Sequence, residues 1–286
     1  MKNNLLTLTV DTFGAQMKSI CSADGTEYLW QGDSRYWGDC APHIFPFIGS
    51  FTGNKYTVNG ITYSIGLHGF ASSCEYQLLE WSHERALFSL MSNHKTKKQY
   101  PFDFSFYVEY AVNKDTVAIT YAVHNSSNCT MPFAIGGHPG FRVPLLTNED
   151  FSDYYLEFEN DCKPERIGFT LDDCVSGEIW PFPLEERKIP LQHKLFDDDA
   201  VILKNIPGEV KLCSAKSGRG VRVAFPKMPY IGFWHCPKTE APFVCIEPWS
   251  SLPGRQGIVE EVTYKSDLIQ LPADNTYTSM WSITVF

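Results

Sequence analysis

Alternation with a period of two runs through most of the chain. Phe104, Phe106, Val108, Tyr110 and Val112 alternate with Ser105, Tyr107, Glu109 and Ala111. After Asn113-Lys114-Asp115 the rhythm returns in Val117, Ile119, Tyr121 and Val123. Successive strand side chains face opposite sides, so the pattern predicts a hairpin with one buried face. Tyr56 and Val58, then Asn59-Gly60, then Ile61 and Tyr63 predict a second hairpin, because Asn-Gly accepts the positive φ of a two-residue turn. Phe88 with Leu90, Val210 to Leu212, Val221 to Phe225 and Tyr230 to Trp234 read as further strands. So does the C-terminus, where Trp281, Ile283 and Val285 alternate with Ser282 and Thr284. Helical periodicity is nearly absent, and 18 prolines and 20 glycines punctuate the short segments. The expectation is an all-β protein, a large antiparallel sandwich. No repeat, low-complexity tract or linker divides residues 1–286, which are expected to form one domain. The acidic stretch from Asn148 to Asp199 reads as excursions from the sheets. Lys95, Lys97 and Lys98 read as a solvated loop.

Composition narrows the partners. With 24 basic and 33 acidic residues the formal charge is −9, which argues against nucleic acid and anionic membrane. No stretch has the length of a membrane-spanning helix. The apolar run from Leu5 to Val10 is too short and too polar for a signal peptide. The 9 cysteines are odd in number and form no Cys-x-x-Cys pair. They point to reduced thiols in a cytoplasmic protein rather than disulfides or a cysteine zinc site. In that compartment the sequons at Asn125 and Asn128 are turn residues.

Three stretches carry candidate chemistry. In Gly136-Gly137-His138-Pro139-Gly140 an imidazole sits among residues that resist regular structure, so it is displayed by a rigid segment at a strand end. An isolated motif of this kind is as often a tight turn that happens to contain a histidine. In Leu67-His68-Gly69-Phe70 a second histidine precedes glycine. In Val244-Cys245-Ile246-Glu247-Pro248-Trp249 an apolar strand runs into a carboxylate. Burial of that carboxylate raises its pKa, which suits a general base. Trp249 and Phe141 offer flat apolar faces beside it. His43, His83, His94, His124, His193 and His235 fit no such pattern and read as surface or satisfied core groups.

Together, His68-Gly-Phe-Ala, Gly137-His138-Pro-Gly-Phe141 and Cys245-Ile-Glu247-Pro-Trp249 resemble the aldose 1-epimerases, or galactose mutarotases. The similarity is greatest to the bacterial branch named after the LacX protein. The segments from Ala41 to Gly49 and from Leu195 to Ala200 resemble the same family, in the same order along the chain. The resemblance implies an antiparallel β-supersandwich of the galactose mutarotase type, an open sugar cleft and no cofactor; no metal is expected, because no ligand spacing is recognisable. It implies that Glu247 removes the proton from the anomeric hydroxyl and that His138 protonates the ring oxygen. His68 would hydrogen-bond near that oxygen, and Asp199 would hold sugar hydroxyls. Phe141 and Trp249 complete the expected substrate-binding set. A small-molecule sugar is the implied partner, with the chain a monomer or homodimer.

The chemistry is coherent on its own terms. Mutarotation opens the ring, rotates the aldehyde and recloses it, so one proton leaves O1 and one reaches O5. An ionised Glu247 would favour a protonated His138 beside it. Two departures bear on substrate. Relatives usually carry arginine where this chain has Ser50, and Ala-Arg-Asp where it has Ala71-Ser72-Ser73. Serine hydroxyls do not replace guanidinium forks, and Arg142 or Arg255 are the candidate replacements. Two other readings remain at this point. One is a sugar-binding protein of the same fold that has lost turnover. The other is a zinc hydrolase using His68, His138 and Glu247, which lack the His-x-x-x-His spacing of common zinc enzymes.

Overall fold

The period-two runs become two large antiparallel sheets packed face to face in the computed structural model, which describes residues 1–286. The nine-stranded sheet runs, in spatial order, Lys188–Pro190, Tyr154–Phe158, Glu209–Ser214, Gly220–Ala224, Thr276–Val285, Thr116–Asn125, Phe104–Asn113, Arg85–Met91 and Gln77–Trp81. The eight-stranded sheet runs Val175–Pro181, Glu165–Phe169, Val201–Lys204, Tyr230–Trp234, Phe243–Trp249, Gly136–Gly137 and His43–Ile44, with Gly140–Arg142 also paired to Phe243–Trp249. This is the all-β architecture of the sequence reading.

Both predicted hairpins form. Asn113 pairs with Thr116 across the two-residue turn Lys114-Asp115, and the inward residues of both strands are buried. Asn59 and Gly60 take φ of 50° and 78° and place Val58 opposite Ile61. Ile61, however, is 60% exposed, because nothing packs on the outer face of that small sheet.

Between the sheets lies a continuous core of 69 buried residues. Phe158 meets Phe233 across it at 6.3 Å between ring centroids. His43, fully enclosed, hydrogen-bonds Tyr121 Oη at 2.7 Å and Tyr110 Oη at 2.6 Å from the facing sheet. Each fully buried aromatic or branched side chain contributes about 1.5–3 kcal/mol, so this core dominates the stability.

The structure departs from the sequence reading in two segments. The Lys95 to Lys98 run belongs to the one α-helix, His94–Gln99. Asn93 caps it by accepting from the amides of Lys95 and Thr96, and Thr96 Oγ1 accepts from the Asn93 amide in return. The Asn148 to Asp199 stretch is not an excursion. It supplies Tyr154–Phe158 and Lys188–Pro190 to one sheet and Glu165–Phe169 and Val175–Pro181 to the other. These strands lie at or near the sheet ends, where one solvated face dilutes the apolar signal.

The Phe243–Trp249 strand organises the site. All seven of its residues are buried. Val244 and Ile246 face the inter-sheet core, while Phe243 and Cys245 face a second cluster with Trp30 and Ala241, packed against Trp37 and Trp234. Glu247 continues that outer face.

Candidate active site

Alternation along the Phe243–Trp249 strand puts Glu247 on the face away from the core, opposite Gly232 of the neighbouring strand. His138 sits between the short strands Gly136–Gly137 and Gly140–Arg142, its amide bonded to Pro42 O at 3.0 Å. His138 Nε2 lies 3.3 Å from Glu247 Oε2. The imidazole is boxed by Trp37 at 4.9 Å, His68 at 5.4 Å and Trp234 at 5.8 Å between ring centroids.

His68 is held by a reciprocal contact. Its amide donates to Gly49 O at 2.9 Å, and the Gly49 amide donates to His68 Nδ1 at 3.1 Å. The backbone at His68 takes φ of 58°, a conformation side-chain-bearing residues rarely adopt. Because Nδ1 accepts, the proton of the neutral ring is on Nε2. Burial lowers the His68 pKa to about 4, so the ring is a neutral Nε2–H donor at physiological pH.

Burial also acts on the pair, and in opposite senses. It pushes the Glu247 carboxyl well above its ordinary value, the Asp199 charge adds to this, and the Trp249 indole N–H opposes it. Burial pushes His138 well below its ordinary value, with His68 adding to the effect. Both shifts therefore oppose the expected ionised Glu247 beside a protonated His138. Desolvation of two charges outweighs their mutual attraction when no other group solvates them.

His68, His138, Glu247, Asp199 and Trp249 all line one cleft of about 330 Å³. Asp199 reaches it from the turn just before the Val201–Lys204 strand, with φ of 74° and its Oδ1 accepting from the Ala200 amide at 2.8 Å. Phe141 does not line it. It is 0% exposed and stands opposite Val244 in the strand register, so it points into the core with that residue. Neither candidate replacement arginine reaches the cleft. Arg142 stands opposite Phe243, beyond the aromatic cluster, and Arg255 is tied to Glu260 at 2.8 Å in a different groove. Ser72 lines the cleft; Ser50 is buried beside it.

The sequence reading did not identify Trp37, Asp39, Asp173 or Trp234 as cleft residues. Trp234 was within reach of inspection, since it shares an aromatic strand with Gly232, the partner of Glu247. Trp37, Asp39 and Asp173 come from loops whose sequence carries no comparable pattern. Among the 16 residues lining the cleft none is lysine or arginine, while Asp39, Asp173, Asp199 and Glu247 are acidic. The side-chain donor atoms of His68, His138 and Glu247 lie within 4.8 Å of one another.

Comparison with known proteins places this geometry. A family profile described as aldose 1-epimerase matches residues 1–261. The chromosomally encoded Protein LacX of Lactococcus lactis subsp. lactis is 35% identical over 266 residues, covering 88% of this chain and 87% of that protein. A galactose mutarotase related enzyme from Lactobacillus acidophilus superposes with a TM-score of 0.95 at 31% identity, covering 100% of this chain and 96% of the other. A galactose mutarotase-like protein from Lactobacillus casei gives 0.93 at 28% identity, covering 100% and 99%. With its β-supersandwich, its cleft and a family match across most of its length, the chain belongs to the aldose 1-epimerase family.

Proposed function

We propose that this protein is a cofactor-independent isomerase that interconverts the α and β anomers of an aldose. The observation that carries the reading is the buried Glu247–His138 pair, 3.3 Å apart in a cleft of sugar size. In this reading the hemiacetal parts the two side chains. Glu247 takes the proton from O1, and His138 delivers one to O5 as the C1–O5 bond breaks. Rotation about C1–C2 and the reverse transfers close the ring on its other face. His68 donates its Nε2–H near O5, Asp199 accepts from sugar hydroxyls, and the Trp249 ring, with Trp37 and Trp234, offers apolar surface to the sugar face.

Sugar hydroxyls entering the cleft supply hydrogen bonds that the empty pair lacks, which favours the ionised form of Glu247. The reaction changes no oxidation state and adds no water to a bond, so acid and base suffice. We take residues 1–286 as one domain acting in the cytoplasm, as a monomer or homodimer. No helix is long and apolar enough to cross a membrane. Polarimetry or NMR exchange with freshly dissolved α-galactose and α-glucose, then a wider panel of aldoses, tests the proposal. Failure to accelerate any anomerisation, together with retained sugar binding, would favour a binding protein instead.

A further inference from the structure

The second residue after the carboxylate, Trp249, has a role that its flat ring alone does not explain. Glu247 and Trp249 are two apart on one strand and share a face. Glycines on both flanking strands leave room for the indole to lie across the sheet. A Cβ at Gly136 would meet Trp249 Cδ1 at 2.9 Å; one at Gly232 would meet Cζ2 at 3.0 Å and Glu247 Cβ at 3.5 Å. The ring thus spans from one neighbour strand to the other beside the carboxylate. Trp249 is 2% exposed, and its Nε1 has no hydrogen-bond partner.

Glu247 is short of donors. It is 2% exposed, and its one polar contact within bonding range is His138. Pro248, next in the chain, has no amide hydrogen to offer. A buried N–H without an acceptor and a buried carboxyl without a donor therefore share one face of one strand, and each is costly to leave unmet.

We propose that Trp249 is a positioning residue: its indole N–H is the donor that holds the Glu247 carboxylate in place once the sugar has separated it from His138. The kinetic consequence rests on the mutarotase reading; the contact itself does not. The Trp249 N–H is near enough to weigh against the effects of burial and of Asp199 on Glu247 without forming a bond of ordinary geometry. The other titratable groups facing Glu247 are His138 and His68 across the cleft and Cys245 on its own strand, with Asp173 and Asp39 further along the cleft wall. Unlike these, an indole N–H neither titrates nor turns over, so it donates through the whole cycle. Read this way, Glu-Pro-Trp is a base, a residue without an amide hydrogen, and the donor that replaces one.

Trp249→Phe tests this, because phenylalanine keeps a flat ring over Gly136 and Gly232 and loses only the N–H. We expect kcat to fall about tenfold with KM nearly unchanged, the scale of one charge-assisted hydrogen bond. The limb of the pH–rate profile governed by Glu247 should move about one unit to higher pH, since the ionised form loses its donor. In the unsubstituted protein saturated with an aldose, the indole ¹H–¹⁵N resonance of Trp249 should titrate with the same midpoint as the Glu247 carboxyl. An indole signal indifferent to that titration overturns the proposal, as does a Phe variant whose KM rises while kcat holds, which would make Trp249 a sugar contact only. The NMR arm decides the matter even if Trp249→Phe fails to fold. Absence of turnover by the unsubstituted protein would count against the mutarotase reading and leave the titration to judge the contact.

Discussion

Glu247 Oε2 and His138 Nε2 stand 3.3 Å apart, one from the middle of a central strand and the other from a turn between two short strands. Neither side chain has room to withdraw far, because the strand beneath Glu247 is buried on both faces and the imidazole is boxed by aromatic rings. In the proposed reaction the sugar enters between them. Glu247→Gln keeps the shape but accepts no proton, so turnover should fall about 10²–10⁴-fold with sugar binding largely retained. His138→Asn should do similar damage, and the double variant should be little worse than either single one if both protons move in one step. His68→Asn should be milder. Anomerisation by polarimetry, with binding followed separately by calorimetry, reads all four; near-normal rates in Glu247→Gln would remove the acid/base assignment.

The pH profile should be bell-shaped with an inverted assignment. Glu247 is shifted up and His138 down, both chiefly by burial. The singly protonated pair then forms as pH climbs past the lowered value governed by His138 and disappears past the raised value governed by Glu247. The acid limb should lie below the ordinary histidine value of about 6.5 and the alkaline limb above the ordinary carboxylate value of about 4.3. Tracking the Glu247 carboxyl by isotope-edited infrared spectroscopy checks this. A carboxyl that ionises on the acid limb would restore the simpler order suggested by the sequence.

Charge should govern substrate choice. The cleft holds Asp39, Asp173, Asp199 and Glu247 and no lysine or arginine. A phosphorylated aldose brings negative charge into this acidic site, and added salt screens the repulsion. We expect kcat/KM for hexose 6-phosphates to be at least about tenfold below that of the free hexoses at low salt, with the gap narrowing as salt is added. Equal activity on both would show that the phosphate lies clear of these carboxylates.

Three donor atoms within 4.8 Å make a metal worth testing directly. The reaction as proposed asks nothing of a metal, so prolonged treatment with EDTA should leave the anomerisation rate unchanged. Loss of activity on chelation and its return with zinc would revive the hydrolase reading.

Acid should unfold the protein early. His235 is buried and His68 half-buried, and desolvation lowers both to about 4. Their unfolded value is about 6.5, so the stability they contribute by staying neutral is complete above that pH and is lost as pH falls towards 4. Each adds up to about 1.4 kcal/mol of loss per pH unit in that window. Glu247 works in the other sense, because a raised carboxyl favours the fold at low pH, but it is one group against several histidines. The melting temperature should therefore drop between pH 6.5 and 4, and His235→Asn should flatten the slope by about one proton. A flat profile in the unsubstituted protein would show that these rings meet solvent.

Local pattern by itself determined the hairpins. Alternation and Asn59-Gly60 act between near neighbours, and those strands pair as read. The three short motifs were also legible, because glycine and proline punctuation marks where a chain leaves regular structure. What alternation cannot say is which of two faces becomes a cleft. Phe141 and Glu247 both looked available to a sugar, yet Phe141 shares the core face with Val244 while Glu247 lies on the other. That difference depends on register with a strand remote in sequence, and then on which sheet covers which side. Trp37, Asp39 and Asp173 reach the cleft from loops, where no period carries information. The protonation order of Glu247 and His138 was likewise beyond the sequence. Proximity alone suggests an ion pair, but the extent of desolvation is set by everything packed around the two groups, and that exists only once the sheets have closed.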